Sequence, residues 1–192
     1  DDLFGFNVTS PYKRDVIPFL NHLTSAAAEI NAVNTIKYEK DGSLSGHNTD
    51  VYGFEKSLRE IMTEIPEKAL ILGTGGASSA VAFVLKKMNI EVTIVSRREG
   101  ENFICYDAID QSVIRENLLI VNASPVGSFP NSIIAPNLPY EFITKDHILY
   151  DLIYNPPETL FLSRGKKRNC KISNGQKMLE YQAEKSWYIW NQ

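Results

Sequence analysis

The chain has 192 residues, 43% hydrophobic and 22% charged, which suits a globular protein of one domain or two small ones. Its formal charge of -3 and pI near 5.7 give no global electrostatic reason to bind nucleic acid or an anionic membrane. Two cysteines without CxxC spacing and three scattered histidines fit thiols that pack in a reducing compartment and argue against a structural zinc site.

In chain order, residues 3–9 are β-rich and stop at Ser10-Pro11, because proline cannot donate to a strand ladder. A helix is expected after Pro11, running through Ile17 and Leu20 towards Leu23, with Pro18 ending or kinking it. Two strands follow, Ala32–Lys40 and Leu44–His47, joined by a turn at Asp41-Gly42. Asn48-Thr49-Asp50 signals a helix start, and Phe54, Leu58 and Ile61 recur at helical spacing. Pro66 closes this first region.

Beyond Pro66 the pattern changes. Lys68–Leu72 is a short apolar run that flows into Gly73-Thr74-Gly75-Gly76, and Ala77–Met88 reads as a buried helix. Further apolar strands are expected at Val92–Val95, Leu118–Val121 and Ile148–Leu152. Continuous apolar strands alternating with helices signal a parallel sheet covered on both faces. The stretch between Arg98 and Leu118 is short for a full strand-helix unit, so one crossover helix is expected to shrink to a loop. Gln176–Trp190 is an amphipathic helix. The fold class is therefore α/β in two parts: residues 1–65, a Rossmann-type domain over residues 66–173, and a C-terminal helix over residues 174–192 that returns to the first part. No apolar run approaches the ~20 residues a membrane helix needs, and a cytoplasmic location is expected.

A strand that ends in Gly-x-Gly-x-x-small and feeds a helix is built for pyrophosphate. Glycines allow the tight turn, and the helix N-terminus offers free N–H groups and positive dipole. Here the match is Gly73, Gly75 and Ser78, with Gly76 and Ala77 between. NAD sites place an acidic residue roughly 20 positions after the glycines. This chain has Ser96-Arg97-Arg98 there, and its first acidic residue is delayed to Glu99. A guanidinium can bond a 2′-phosphate in bidentate fashion, so NADP is favoured over NAD.

The first region carries polar residues near strand ends: Asn7, Thr9 and Lys13, then Asn34 and Thr35, then Asn48, Thr49 and Asp50. Such a set suits a small polyhydroxylated ligand, and a Lys with an Asp can move a proton while a hydride crosses. Taken alone, Lys13 reads as a snorkelling helix lysine and Asp50 as a helix cap. Their setting changes the reading. Gly5-Phe6-Asn7-Val8-Thr9-Ser10-Pro11-Tyr12-Lys13, Ala32-Val33-Asn34-Thr35 and Gly46-His47-Asn48-Thr49-Asp50 resemble motifs of the shikimate dehydrogenase family. The resemblance continues through the glycine turn, Asn122-Ala123-Ser124-Pro125-Val126-Gly127, Tyr150–Pro156 and Asn174–Leu179 followed by Gln182, covering nearly the whole chain.

The resemblance implies reversible NADPH-dependent reduction of 3-dehydroshikimate to shikimate, a step of chorismate and aromatic amino acid biosynthesis, without a metal. It implies that Lys13 and Asp50 are the catalytic pair and that Thr9, Asn34, Gln182 and Tyr154 face the substrate. Gly73, Thr74, Gly75, Gly76, Ala77, Ser96, Arg97, Arg98, Ser124, Gly175 and Met178 would hold the cofactor. The expected partner is a small molecule, with neither nucleic acid nor membrane, and the protein a monomer or homodimer. Two departures stand out. Family members begin with a strand and helix carrying a Ser-x-Ser pair for the substrate carboxylate, which this sequence does not show ahead of Gly5. The substrate domain is therefore expected to be N-terminally incomplete as given. The family's Asn-Arg-Thr is here Ser96-Arg97-Arg98, which keeps the charge argument for NADP. Two alternatives are a quinate/shikimate dehydrogenase using NAD, and a non-catalytic nucleotide-binding remnant, against which the retention of both Lys13 and Asp50 argues.

Overall fold

The computed structural model describes residues 3–98, 100 and 102–192. Asp1, where the sequence begins, and Glu99, the delayed acidic residue, lie outside the described residues. The chain divides into two compact units, Asp1–Ser57 with Met178–Gln192, and Leu58–Lys177. The division thus falls upstream of Pro66, inside a helix.

In the first unit, β1 (Gly5–Asn7), β2 (His22–Leu23), β3 (Thr35–Tyr38) and β4 (Leu44–His47) form a sheet in the order β1-β3-β4-β2. The β1–β3 and β3–β4 pairs are antiparallel, and β2 lies parallel to β4. The β3–β4 turn is the expected one: Gly42 takes φ +85°, and Asp41 Oδ1 accepts from Ser43 N at 2.9 Å. Helix α1 (Ser25–Ile30) was not expected from the sequence. Thr24 caps its start by accepting from Ala27 N, and Asn31 ends it in the left-handed region. Ala27, Val33 and Ile36 form the core here, with Val8, Leu20 and Leu23 against them.

The helix expected from Pro11 towards Leu23 does not form. The Lys13 carbonyl accepts from Val33 N at 2.8 Å, so it is engaged outside any local helix. Ile17 N turns instead to the Arg14 carbonyl, and Pro18 has no N–H to offer. Turns and a single 3₁₀ segment over Ile17–Phe19 result.

Helix α2 (Asp50–Ile61) starts in the first unit and ends in the second. Its N-terminal half packs closely on α6 (Gln176–Trp190), because a Cβ at Gly53 would stand 2.5 Å from the Met178 carbonyl oxygen.

The second unit is a six-stranded, all-parallel sheet. Its strands are β5 (Lys68–Leu72), β6 (Glu91–Ser96), β7 (Ile104–Cys105), β8 (Leu119–Asn122), β9 (Ile148–Asp151) and β10 (Lys171–Ser173), in the order β10-β9-β8-β5-β6-β7. Helix α3 (Gly76–Lys87) follows β5 and packs on β5 and β6, and α5 (Leu160–Lys166) packs on β9 and β10. The crossover expected to be a loop holds β7 and a six-residue helix, α4 (Gln111–Glu116). Asp110 caps α4 by accepting from Val113 N at 2.9 Å, and buried Ile114 ties it to the core. Burial pushes the Cys170 thiol up to about 11, which leaves it a packing residue. Among the described residues no helix is long and apolar enough to cross a membrane.

Candidate functional site

Strand register assembles the polar cluster of the first unit. Thr35 pairs with Asn7 on one side and His47 on the other, so Asn34 stands just before β3 where Asn48, Thr49 and Asp50 leave β4. The Asn34 backbone is pinned from both neighbours: its carbonyl accepts from Val8 N and its N–H donates to the His47 carbonyl. Thr49 then caps α2, its carbonyl accepting from Gly53 N at 3.0 Å, and Asp50 begins the first turn.

Lys13 Nζ donates to Asp50 Oδ2 at 2.6 Å. Both are largely covered, with side chains 17% and 10% exposed, so the pair is less screened than a surface ion pair. The other carboxylate oxygen, Oδ1, accepts from Asn34 Nδ2 at 2.9 Å. Asn34 Oδ1 in turn accepts from Thr49 N at 2.7 Å and from the Thr49 and Thr35 hydroxyls. Behind these lies Ser186 of α6, fully buried, within 2.7 Å of the Thr35 hydroxyl and 3.1 Å of the Thr49 hydroxyl. Gln182, one turn earlier on α6, accepts from Thr49 Oγ1 at 3.4 Å and donates to the Leu179 carbonyl at 3.0 Å. Lys13, Asp50, Asn34 and Gln182 therefore belong to one hydrogen-bonded network. Thr9 lies exposed past the end of β1, and Met178 is buried on α6.

Asn7, Thr35 and Thr49 stand in the polar set the sequence offered but had no role assigned to them, and Ser186 was not expected at the site. Thr35 and Thr49 stand inside motifs already quoted, and Ser186 lies four residues after Gln182, on the same helix face. That spacing was the available signal.

In the second unit, β5 sits between β6 and β8, and the chain builds outward in both directions from it. The C-terminal edge at the β5–β8 boundary is thus the topological switch point, where open α/β sheets bind ligands. Gly73 leaves β5 at φ +117°, and a Cβ there would lie 3.0 Å from the Ala123 carbonyl oxygen. Ser78 Oγ closes the turn by donating to the Gly73 carbonyl at 2.6 Å. Gly75 caps α3 without a side-chain acceptor, and a Cβ at Gly75 or Gly76 would meet nothing within 4 Å. The start of α3 thus has room beside its glycines and no side-chain cap on its first N–H groups, which suits a phosphate.

Ser96 closes β6, and Arg97 and Arg98 follow it exposed, with Arg98 N donating to Ser96 Oγ at 3.1 Å. Ser124 lies just past β8, its N–H and hydroxyl both donating to Asn122 Oδ1. Tyr154 is 50% exposed after β9. Gly175 is buried, with its N–H on the Ile153 carbonyl at 3.0 Å.

Asp151, fully buried at the end of β9, had no assigned role. Burial pushes its carboxyl up to about 6, against hydrogen bonds from Thr159, Ile153 N and Asn122 that pull it down. Among the described residues no group of three His, Cys, Asp or Glu side chains could hold a metal ion.

The chain is similar to proteins of known family. The family model of the shikimate dehydrogenase substrate binding domain matches residues 1–36. The chain is 38% identical to the shikimate dehydrogenase (NADP+) of Pelagibacter ubique, over all of this chain and 74% of that protein. It is 39% identical to the shikimate dehydrogenase (NADP+) of Methanococcus maripaludis, over 97% of this chain and 72% of the relative. The crystal structure of the Thermus thermophilus shikimate 5-dehydrogenase with NADP(H) and shikimate superposes with a TM-score of 0.87 at 32% identity, covering 98% of this chain and 73% of that one. By sequence and by fold, the chain belongs to the shikimate dehydrogenase family.

Proposed function

We propose that the chain is an NADP-dependent shikimate dehydrogenase, reducing 3-dehydroshikimate reversibly to shikimate. The observation that carries the reading is the Lys13–Asp50 pair at 2.6 Å, with the second oxygen of Asp50 held by buried Asn34. The names of the relatives and the ligands of the Thermus structure support the same substrate and cofactor.

The residues present fit the cofactor. The Gly73–Ser78 turn with its open helix N-terminus would take the pyrophosphate, and Arg97 with Arg98 would take the 2′-phosphate. Thr74, Ala77, Ser96, Ser124, Gly175 and Met178 complete the proposed cofactor contacts. When bound, NADPH supplies a hydride to the ketone carbon.

The rest of the chemistry belongs to the protein. Hydride addition leaves alkoxide character on the oxygen, and the Lys13 ammonium stabilises that charge and donates its proton there. In the oxidation direction Lys13 takes the proton back. Asp50 fixes the direction of the ammonium and accepts a hydrogen bond from a ring hydroxyl. One amide hydrogen of Asn34 is committed to Asp50, leaving the other for a second hydroxyl. Thr9, Gln182 and Tyr154 are the remaining proposed substrate contacts.

The test is a steady-state assay of the full-length protein with shikimate and NADP+. Shikimate-dependent formation of NADPH is the expected result, and none would overturn the assignment.

A further inference from the structure

The second unit contains a buried polar chain that the proposed reaction does not use. Asp151 Oδ1 accepts from Asn122 Nδ2 and from Ile153 N, each at 3.0 Å, while Oδ2 accepts from Thr159 Oγ1 at 2.6 Å. Asn122, Asp151 and Thr159 are all fully buried. One carboxyl group thereby joins the end of β8, the exit from β9 and the residue that caps α5.

The chain continues outward from Asn122. Its Oδ1 accepts from Ser124 N at 3.1 Å and Ser124 Oγ at 2.7 Å, and its Nδ2 also reaches the Val126 carbonyl at 3.1 Å. These bonds shape the loop after β8. That loop lies against the glycine turn, since Ala123 N donates to the Leu72 carbonyl at 3.0 Å and the Ala123 carbonyl sits where a Cβ of Gly73 would crowd it. A site contact is only as well placed as the groups that support it.

Resting on the reading that this unit holds NADP, we propose that Asp151 is a positioning residue for the cofactor. Acting through Asn122, it fixes the Ser124 loop against the Gly73 turn. The part of the dinucleotide it serves lies at the β5–β8 boundary. The adenosine 2′-phosphate, assigned to Arg97 and Arg98 at the end of β6, lies on the other side of β5 in the strand order.

The experiment measures binary dissociation constants for NADP+ and for 2′,5′-ADP, which carries only the adenosine half, on the wild-type protein, Asp151→Ala and Asp151→Asn. Removing the shared acceptor in Asp151→Ala should weaken NADP+ about tenfold or more and leave 2′,5′-ADP within about twofold. Asp151→Asn keeps an oxygen for Asn122 and Ile153 N and should restore NADP+ affinity. If Asp151→Ala does not fold, Asn122→Ala cuts the same link and should show the same split. Equal loss of both ligands, unchanged NADP+ affinity in the alanine variants, or failure of Asp151→Asn to restore it overturns the proposal. Absence of NADP+ binding by the wild-type protein instead overturns the cofactor reading on which it rests.

Discussion

Replacing Asn34 by alanine tests the account at its most connected point. The side chain is 4% exposed and makes one bond to the Asp50 carboxylate and three as acceptor, from Thr49 N, Thr49 Oγ1 and Thr35 Oγ1. The two hydroxyls have other acceptors within reach at Ser186, Gln182 and Asn7, so they re-pair. The Thr49 N–H does not move, because it belongs to the start of α2, and it is left buried. A stranded donor costs about 1–3 kcal/mol and a lost bond to a charged group about 1.5–3 kcal/mol, giving roughly 2.5–6 kcal/mol together. That is a large share of the roughly 5–15 kcal/mol by which domains are stable. In the same variant Asp50 keeps Lys13 but loses its second anchor. The ammonium is then less well aimed, and kcat should fall on the order of 100-fold. Urea unfolding followed by circular dichroism reads the first effect and shikimate oxidation the second. A stability loss under about 1 kcal/mol with kcat unchanged would refute the reasoning, since both consequences follow from one set of bonds.

Other substitutions separate the parts of the machine. Lys13→Ala should lower kcat by about 100-fold or more while leaving the NADP+ dissociation constant unchanged; equal loss in both would assign Lys13 to the wrong site. Arg97→Ala should weaken NADP+ about tenfold and leave NAD+ nearly unaffected, and matching losses would remove its phosphate role. Asp151 gives a pH prediction. Its carboxyl rises from the usual 3.8 to about 6 in the folded state, so the folded protein binds the proton more tightly. The resulting stability is fully present below pH 3.8 and lost as pH rises through about 6, a change worth roughly 3 kcal/mol. Asp151→Asn cannot ionise, so relative to wild type it should gain stability by that amount between pH 4 and pH 8 in urea melts. A constant difference across that range would show that burial of Asp151 carries no such penalty.

The parts of this protein that were legible in the sequence are those where one physical signal dominates. After Lys68, residues 69–72 are apolar throughout because both faces of a central parallel strand are covered, and the glycines after them mark a turn where side chains would clash or block access. Helix α1 was invisible because six residues with three alanines carry no clear period; only Thr24 announced it. The stretch after Pro11 misled because its apolar spacing looks helical, while the Lys13 carbonyl is taken by Val33, a residue far along the chain, and Pro18 has no N–H to offer. Strand β10 has three residues, too few for any pattern to show.

The candidate site divides the same way. Lys13, Asn34 and Asp50 are polar groups in recognisable motifs. Ser186 takes its place from long-range packing: 151 residues separate it from Thr35, yet their hydroxyls lie 2.7 Å apart. Asn122, Asp151 and Thr159 could have been suspected as polar residues closing or following apolar strands. Their mutual bonds depend on which strands become neighbours, which local sequence does not encode.

The central claim is that the Lys13–Asp50 unit reduces a polyhydroxylated ketone with NADPH, and comparative kinetics test it most directly. Values of kcat/KM for shikimate and quinate, each with NADP+ and NAD+, separate substrate choice from cofactor choice. The account predicts that shikimate with NADP+ exceeds every other combination by about tenfold or more. Turnover of quinate with NAD+ above that of shikimate with NADP+, or no turnover of shikimate at all, would contradict it.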